Sequence, residues 1–153
     1  MRRALPVLAA VLALVAAGCG GKSAADTYAS QQIAACAKAE KLVAAVPRPK
    51  AQPATAKRGS RAPAAILHYA VQIDQALLAG LPDLRSVTAP GALRPVQEQW
   101  LATVKVALRA RLRLDTAPAK QIQTASKNEL KARRAANDLA GRLGISSGCT
   151  LTY

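Results

Sequence analysis

The chain has 153 residues, a length typical of one domain. It carries 22 lysines and arginines against 8 aspartates and glutamates, a formal net charge of +14. Aromatic residues make up only 3% and phenylalanine is absent, which argues against a base-stacking surface for single-stranded nucleic acid. A single histidine, His68, excludes any metal site that needs two imidazoles. The hydrophobic fraction of 51% overstates the core, because much of it is alanine and much of the rest precedes residue 19.

The first 18 residues have the pattern of a bacterial export signal. Arg2 and Arg3 form a charged start, and residues 4–17 form an uncharged apolar run. As a helix this run would rise about 21 Å, less than the hydrocarbon thickness of about 30 Å. A stable transmembrane span is therefore the weaker interpretation, and we predict that residues 1–18 are a cleaved signal peptide.

The residues that follow this run carry a more specific motif, Val15-Ala16-Ala17-Gly18-Cys19. This motif resembles the lipobox of bacterial lipoproteins, in which the signal is cut before the cysteine and the cysteine sulfur carries a diacylglycerol. The resemblance implies a lipid anchor at Cys19, with the protein on the extracytoplasmic face of the cell membrane. Residues 19–23 would then be a flexible tether. The alternative is an ordinary secretory signal with a chance cysteine.

Lipidation of Cys19 changes the cysteine count, because it leaves Cys36 and Cys149 as a pair. Outside the cytoplasm, two remaining thiols in a small domain most often form a disulfide. Such a bridge would join the first helix to the C-terminus. Two buried free thiols, or a metal or redox pair, are the alternatives, and no CxxC motif supports the latter.

Residues 24–153 are predicted to form one all-α domain, an up-down four-helix bundle. The first helix is expected over residues 24–46, with Ser23 or Asp26 as its cap and Pro47 ending it. Residues 47–62 contain five basic residues and no acid, and they are expected to form a long, mobile basic loop between the first two helices.

The second helix is expected over residues 63–79, with Ile66 and Leu77 in a stripe of apolar residues that face the core. A turn-rich connector over residues 81–92 should follow. The third helix, over residues 93–115, carries Trp100, whose buried indole N–H should find a partner. The fourth, over residues 118–143, has a mostly alanine stripe that begins at Ile122. Gly144 fits a left-handed cap, after which the tail should return Cys149 to the first helix.

This arrangement also resembles a loose group of small helical-bundle lipoproteins of high-GC bacteria, for which no activity is known. The matching features are Cys36, the connector over residues 81–90, Trp100 and the ending over residues 143–149. The match spans the chain after the signal. It implies the bundle and the disulfide, and no function.

Few residues could carry catalysis or hold a ligand. His68 is the one natural general base, but we expect it at the rim of the second helix, without a metal partner. Glu40 and Glu129 both fall near apolar stripes, so a paired carboxylate site is conceivable, although each is more simply explained as a stripe-edge residue paired with a cation. No nucleophile elbow or phosphate-binding glycine loop is present. We therefore expect no enzyme activity, no cofactor and no metal, and keep a small-ligand or metal-binding bundle as the alternative.

Positive charge is the remaining functional indication. The loop contributes five candidate contacts, namely Arg48, Lys50, Lys57, Arg58 and Arg61. Two further groups lie in the third and fourth helices, namely Arg109, Arg111 and Arg113, and Lys131, Arg133 and Arg134. Export makes nucleic acid an improbable partner, so the expected partners are anionic lipid, a cell-wall polymer or an envelope protein. A purely solubilising role for the charge is the alternative.

Overall fold

The computed structural model describes residues 22–50 and 64–151, which are helical and contain no strand. The helices, in chain order, are α1 (Ala24–Ala44), α2 (Ala64–Ala79), α3 (Leu81–Ser86), α4 (Arg94–Thr116) and α5 (Ile122–Arg142). The all-α class and the four long helices are thereby confirmed, whereas the up-down order of the whole bundle stays a prediction. The predicted signal peptide, Cys19 and most of the basic loop lie outside the described residues.

Helix α1 begins with a reciprocal cap between Ser23 and Asp26. The Ser23 hydroxyl accepts from the Asp26 backbone N–H at 3.1 Å, and the Asp26 carboxylate accepts from the Ser23 backbone N–H at 3.2 Å. Two N–H groups that the helix leaves unpaired are satisfied in this way, so the predicted cap at Ser23 is confirmed. The helix ends at Ala44, three residues before Pro47 and slightly earlier than predicted.

Gly80 forms the corner between α2 and α3 and lies close against α1. A Cβ at this position would come within 3.0 Å of the Ala39 Cβ, so a larger residue would push the two segments apart. Pro82 lies in the first turn of α3, where its missing N–H costs no hydrogen bond. The prediction of a turn-rich connector over residues 81–92 is thus wrong in its first half, because proline at a helix start favours a helix.

A 3₁₀ turn over Ala119–Gln121 leads into α5, which ends in the predicted left-handed cap. Gly144 has φ 71°, and the Ile145 N–H donates to the Ala140 carbonyl at 3.0 Å, the pairing of a Schellman motif. The cap turns the chain back, and the side chain of Ile145 becomes fully buried. Gly144 is the one described glycine whose conformation requires the left-handed region.

The helices pack around Trp100, which is 1% exposed. The most extensive helix–helix contact is between α4 and α5, while α2 packs on α4, and α1 packs on α2 and α3. Within the described residues the backbone of α1 comes close to α2 and α3 but not to α4 or α5, and α1 reaches α4 through side chains, as in the Gln32–Gln97 contact. The tail that follows α5 also reaches α1. The predicted Cys36–Cys149 disulfide is present, spans 113 residues of sequence and covalently fixes α1 to that tail.

Three expectations about the core are wrong. Ile66 and Ile122 are 40% and 42% exposed, because each lies in the first turn of its helix, at the margin of the packed core. Trp100 is buried as expected, but its indole N–H has no hydrogen-bond partner among the described residues. Trp100 belongs to the cluster of apolar residues that forms the core.

A pair of glutamines joins α1, α3, α4 and the connector between α3 and α4. Gln32 of α1 donates to the Leu84 carbonyl at 3.1 Å, and Gln97 of α4 donates to the Gln32 side-chain oxygen at 3.4 Å. Gln97 also donates to the Val87 carbonyl and accepts from the Ala89 N–H at 3.0 Å. Both side chains are nearly inaccessible, so this neutral network fixes the connector to two helices at once.

Candidate functional site

A buried acid lies between α2 and α4. Asp74 of α2 is fully buried, and its Oδ1 lies 3.1 Å from the Nε of Arg111 on α4. Asp115, one helical turn beyond Arg111, interacts with the same carboxyl group. Asp74 therefore faces one cation and one carboxylate on the neighbouring helix.

These neighbours shift the pKa of Asp74 in opposite directions. Burial is the largest influence and raises the pKa of Asp74 to about 7, while the Arg111 guanidinium opposes the rise. Asp115 and, more weakly, Glu129 raise that pKa further through their negative charge. Near neutral pH this carboxyl group is thus poised between its two protonation states.

Glu129 of α5 lies beside this group and has its own cation. Its carboxylate is 3.2 Å from the Nε of Arg133, one turn along the same helix. The expectation that Glu129 pairs with a nearby basic residue is confirmed. Glu40, in contrast, is exposed on α1, a helix that does not pack on α5 in the described structure, so the two glutamates are not brought together.

His68 is exposed on α2, as expected from its place at the flank of the apolar stripe. The described residues contain no group of three or more histidine, cysteine, aspartate or glutamate side chains that could hold a metal ion. His68, Glu40 and Glu129 lie on α2, α1 and α5, and none of them belongs to such a group.

Sequence reasoning missed the Asp74 group, although a signal was present. Asp74 is four residues after Ala70 and three before Leu77, so it falls within the apolar stripe of α2. A carboxylate at that spacing must be buried, and burial requires a charged or hydrogen-bonding partner. The partner, Arg111, is 37 positions away in sequence, and only the packing of α2 on α4 identifies it.

A small apolar cavity lies beside the disulfide. It measures about 50 Å³ and is lined in part by Cys36, Glu40, Trp100 and Cys149. Small-molecule sites typically occupy about 300–1,000 Å³, so this cavity is too small for an organic ligand.

The basic residues divide into two kinds. Arg111 and Arg133 face the buried acids, whereas Arg109, Arg113, Lys131 and Arg134 are exposed on the same helices. Of the five predicted contacts in the loop, Arg48 and Lys50 are exposed, and Lys57, Arg58 and Arg61 lie outside the described residues. Two of the helical arginines therefore have a structural role, and the others remain available to a partner.

One described stretch, Ala64–Ser86, is long and apolar enough to cross a membrane, by length and composition only. It contains two helices, α2 and α3, with Gly80 between them. Core helices that pass the same test are mostly buried, whereas 17% of the apolar window in this stretch is buried, although Asp74, Leu77 and Leu84 do pack into the bundle. The break at Gly80 and the buried carboxyl group of Asp74 are features of a folded helix pair.

Comparisons with protein families, with curated proteins and with solved structures each found no match to this chain.

Proposed function

We propose that this protein is a non-enzymatic binding module, anchored by lipid at Cys19 to the extracytoplasmic face of the cell membrane, that contacts an anionic envelope surface. The observation that carries the proposal is the composition of the loop, with five cations and no acid between Arg48 and Arg61. Arg48 and Lys50, the two described members, are exposed. Each Lys or Arg near an anionic lipid surface contributes about 1 kcal/mol, which salt screens.

The start of α2 adds an apolar element directly after these cations. Its first turn contains no acidic residue, and Ile66 is 40% exposed there. Cations next to an exposed apolar helix end suit a bilayer surface, because the charges approach the headgroups while the apolar side chain enters the interface. Anionic lipid is therefore our preferred surface, and cell-wall polymer is an outcome that the test distinguishes.

Vesicle sedimentation tests the surface contact. The chain from residue 22 contains the entire described core and both bridging cysteines, so it can be studied without the anchor. We expect it to sediment with phosphatidylglycerol-containing vesicles but not with pure phosphatidylcholine, and to dissociate as NaCl rises from about 0.05 to 0.5 M. Binding to purified anionic wall polymer but not to these vesicles would replace lipid with polymer.

A matched pair of charge reversals tests the location of the contact. Lys57→Glu/Arg58→Glu/Arg61→Glu should abolish sedimentation, whereas Lys127→Glu/Lys131→Glu/Arg134→Glu, on the exposed face of α5, should retain most of it. Equal losses would show that only the net charge matters, and the loop would have no specific role.

The anchor is tested separately with the full chain. Intact mass and membrane fractionation should show a diacylglycerol on Cys19, and Cys19→Ser should abolish this mass increase. Release of a soluble, unmodified chain from the wild type would contradict the lipoprotein assignment.

A further inference from the structure

A groove on the surface of the bundle combines an apolar floor with a basic rim. It lies between the α2–α3 corner and α4 and has a volume of about 740 Å³. Leu78 and Leu81 are half-buried and Leu101 is buried, so these three leucines form the floor. Its basic lining residues, which are all exposed, are Arg85, Lys105 and Arg109.

The three cations at the rim lack counter-charges. None of them forms an ion pair with a described residue, in contrast to Arg111 and Arg133. The residues that line this groove include no carboxylate. Glu98 lines an adjoining depression together with Arg85. The groove therefore combines positive potential with a hydrophobic surface that solvent can reach.

We propose that this groove binds a single-chain anionic amphiphile. A carboxylate or phosphate headgroup lies at Lys105, Arg109 and Arg85, and the acyl chain lies along the leucines. Both parts of the ligand are needed, because a small anion leaves the apolar floor exposed and a neutral chain leaves the cations unpaired. The volume is within the range of sites that take such molecules.

This site goes beyond the surface contact proposed above. It uses only described residues on α2, α3 and α4, and none of the cations of the loop. The ligand is a dissolved monomer, so binding does not depend on a bilayer. The two proposals can consequently fail independently.

Calorimetry with three probes tests the ligand class. Dodecyl phosphate, kept below its micellar concentration, should bind the chain from residue 22 saturably with one site. Dodecyl maltoside has the same alkyl chain without the charge, and inorganic phosphate has the charge without the chain. Each of these two control compounds should bind at least about tenfold more weakly than dodecyl phosphate, a difference of about 1.4 kcal/mol or more. Equal affinity for either control compound would overturn the proposal.

Two variants test the location. Lys105→Glu/Arg109→Glu should weaken dodecyl phosphate binding by about tenfold or more. The matched control, Lys131→Glu/Arg134→Glu, makes the same charge change on the exposed face of α5 and should leave affinity within about twofold. Equal effects in the two variants would show that net charge alone attracts the ligand.

A third variant tests the floor without changing charge. Ala102 is exposed and lines the groove, so Ala102→Trp should fill it and abolish binding while the bundle stays folded by circular dichroism. Wild-type affinity in this variant would place the ligand elsewhere and refute the site. Because α4 presents all three substituted residues to solvent, we expect each variant to fold.

Discussion

Two parts of the interior are held by different chemistry. Helix α1 is fixed by a covalent bond, Cys36–Cys149, and by the neutral glutamine pair Gln32 and Gln97. Helix α2 is fixed to α4 through ionisable groups, with Asp74 against Arg111. Neither an amide nor a disulfide changes charge with pH, whereas Asp74 does so close to neutral pH. The comparison teaches that the groups holding α1 keep the same charge as the pH changes, whereas the contribution of Asp74 to holding α2 changes with its protonation.

Breaking the disulfide should have the largest effect on stability. It closes a loop of 113 residues, and in the loop-entropy model such a closure contributes up to about 5 kcal/mol. Because this bond ties α1 to the tail, Cys36→Ala/Cys149→Ala should lower the free energy of unfolding by up to this amount. Denaturant titration measures it.

Reduction of the wild type provides the control for that change. A reductant should destabilise the wild type to the level of the double variant and leave the variant unchanged. A loss below about 1 kcal/mol would mean that non-covalent contacts already hold α1, and the contrast between the two parts of the interior would disappear.

Asp74→Asn should have the next largest effect, visible as a change in the pH dependence of stability. The folded-state pKa of Asp74 is about 7, above the ordinary value of 3.8, so between these values the folded protein holds a proton that the unfolded chain has lost. This group therefore lowers stability by about 1.4 kcal/mol for each pH unit from about pH 4 to pH 7, and no further above that. Asparagine, which mimics the neutral acid, should remove this slope.

Unfolding titrations between pH 4 and pH 8 check this expectation. Asp138→Asn, an exposed aspartate of α5, is the matched control and should keep the wild-type slope. If Asp74→Asn also kept it, another group would be responsible for the pH dependence, and α2 would not depend on this proton.

The helices and the disulfide could be predicted from the sequence. The helices follow from local features, namely the spacing of apolar residues and the caps at Ser23 and Gly144. The disulfide follows from counting, because two cysteines are left after Cys19. Both buried polar groups escaped prediction, because Gln32 and Gln97 are 65 residues apart and the acid group joins separate helices. Polar residues in an apolar stripe indicate burial, but only tertiary packing identifies their partners.

Gln97→Leu, which removes one member of the neutral glutamine pair, should have an intermediate effect on the free energy of unfolding. The change preserves most of the side-chain volume but leaves the Ala89 N–H and the Val87 carbonyl without their partner. Buried unsatisfied groups cost about 1–3 kcal/mol each, so we expect a loss of about 2–3 kcal/mol that does not vary with pH. Gln99→Leu, at an exposed position of α4, should change stability by less than about 0.5 kcal/mol. If the loss of stability in Gln97→Leu depended strongly on pH, the glutamine pair would not differ from Asp74 in its response to pH.

Glu129→Gln should have the smallest effect on the free energy of unfolding, and it tests whether a neighbouring charge acts on the buried acid Asp74. Losing the pair with Arg133, one turn along α5, costs about 0.3–0.5 kcal/mol. Glu129 also raises the pKa of Asp74, so its neutralisation should move the pH at which stability levels off to a lower value. Glu98→Gln, at an exposed site on α4, should leave that pH unchanged. Near neutral pH the two consequences oppose each other, since a lower pKa for Asp74 makes its burial less costly there. The net loss of stability should therefore be greater at about pH 5.5, where an ordinary glutamate is ionised and Asp74 is still protonated, than at pH 7. The reverse order would mean that Glu129 does not act on the buried acid.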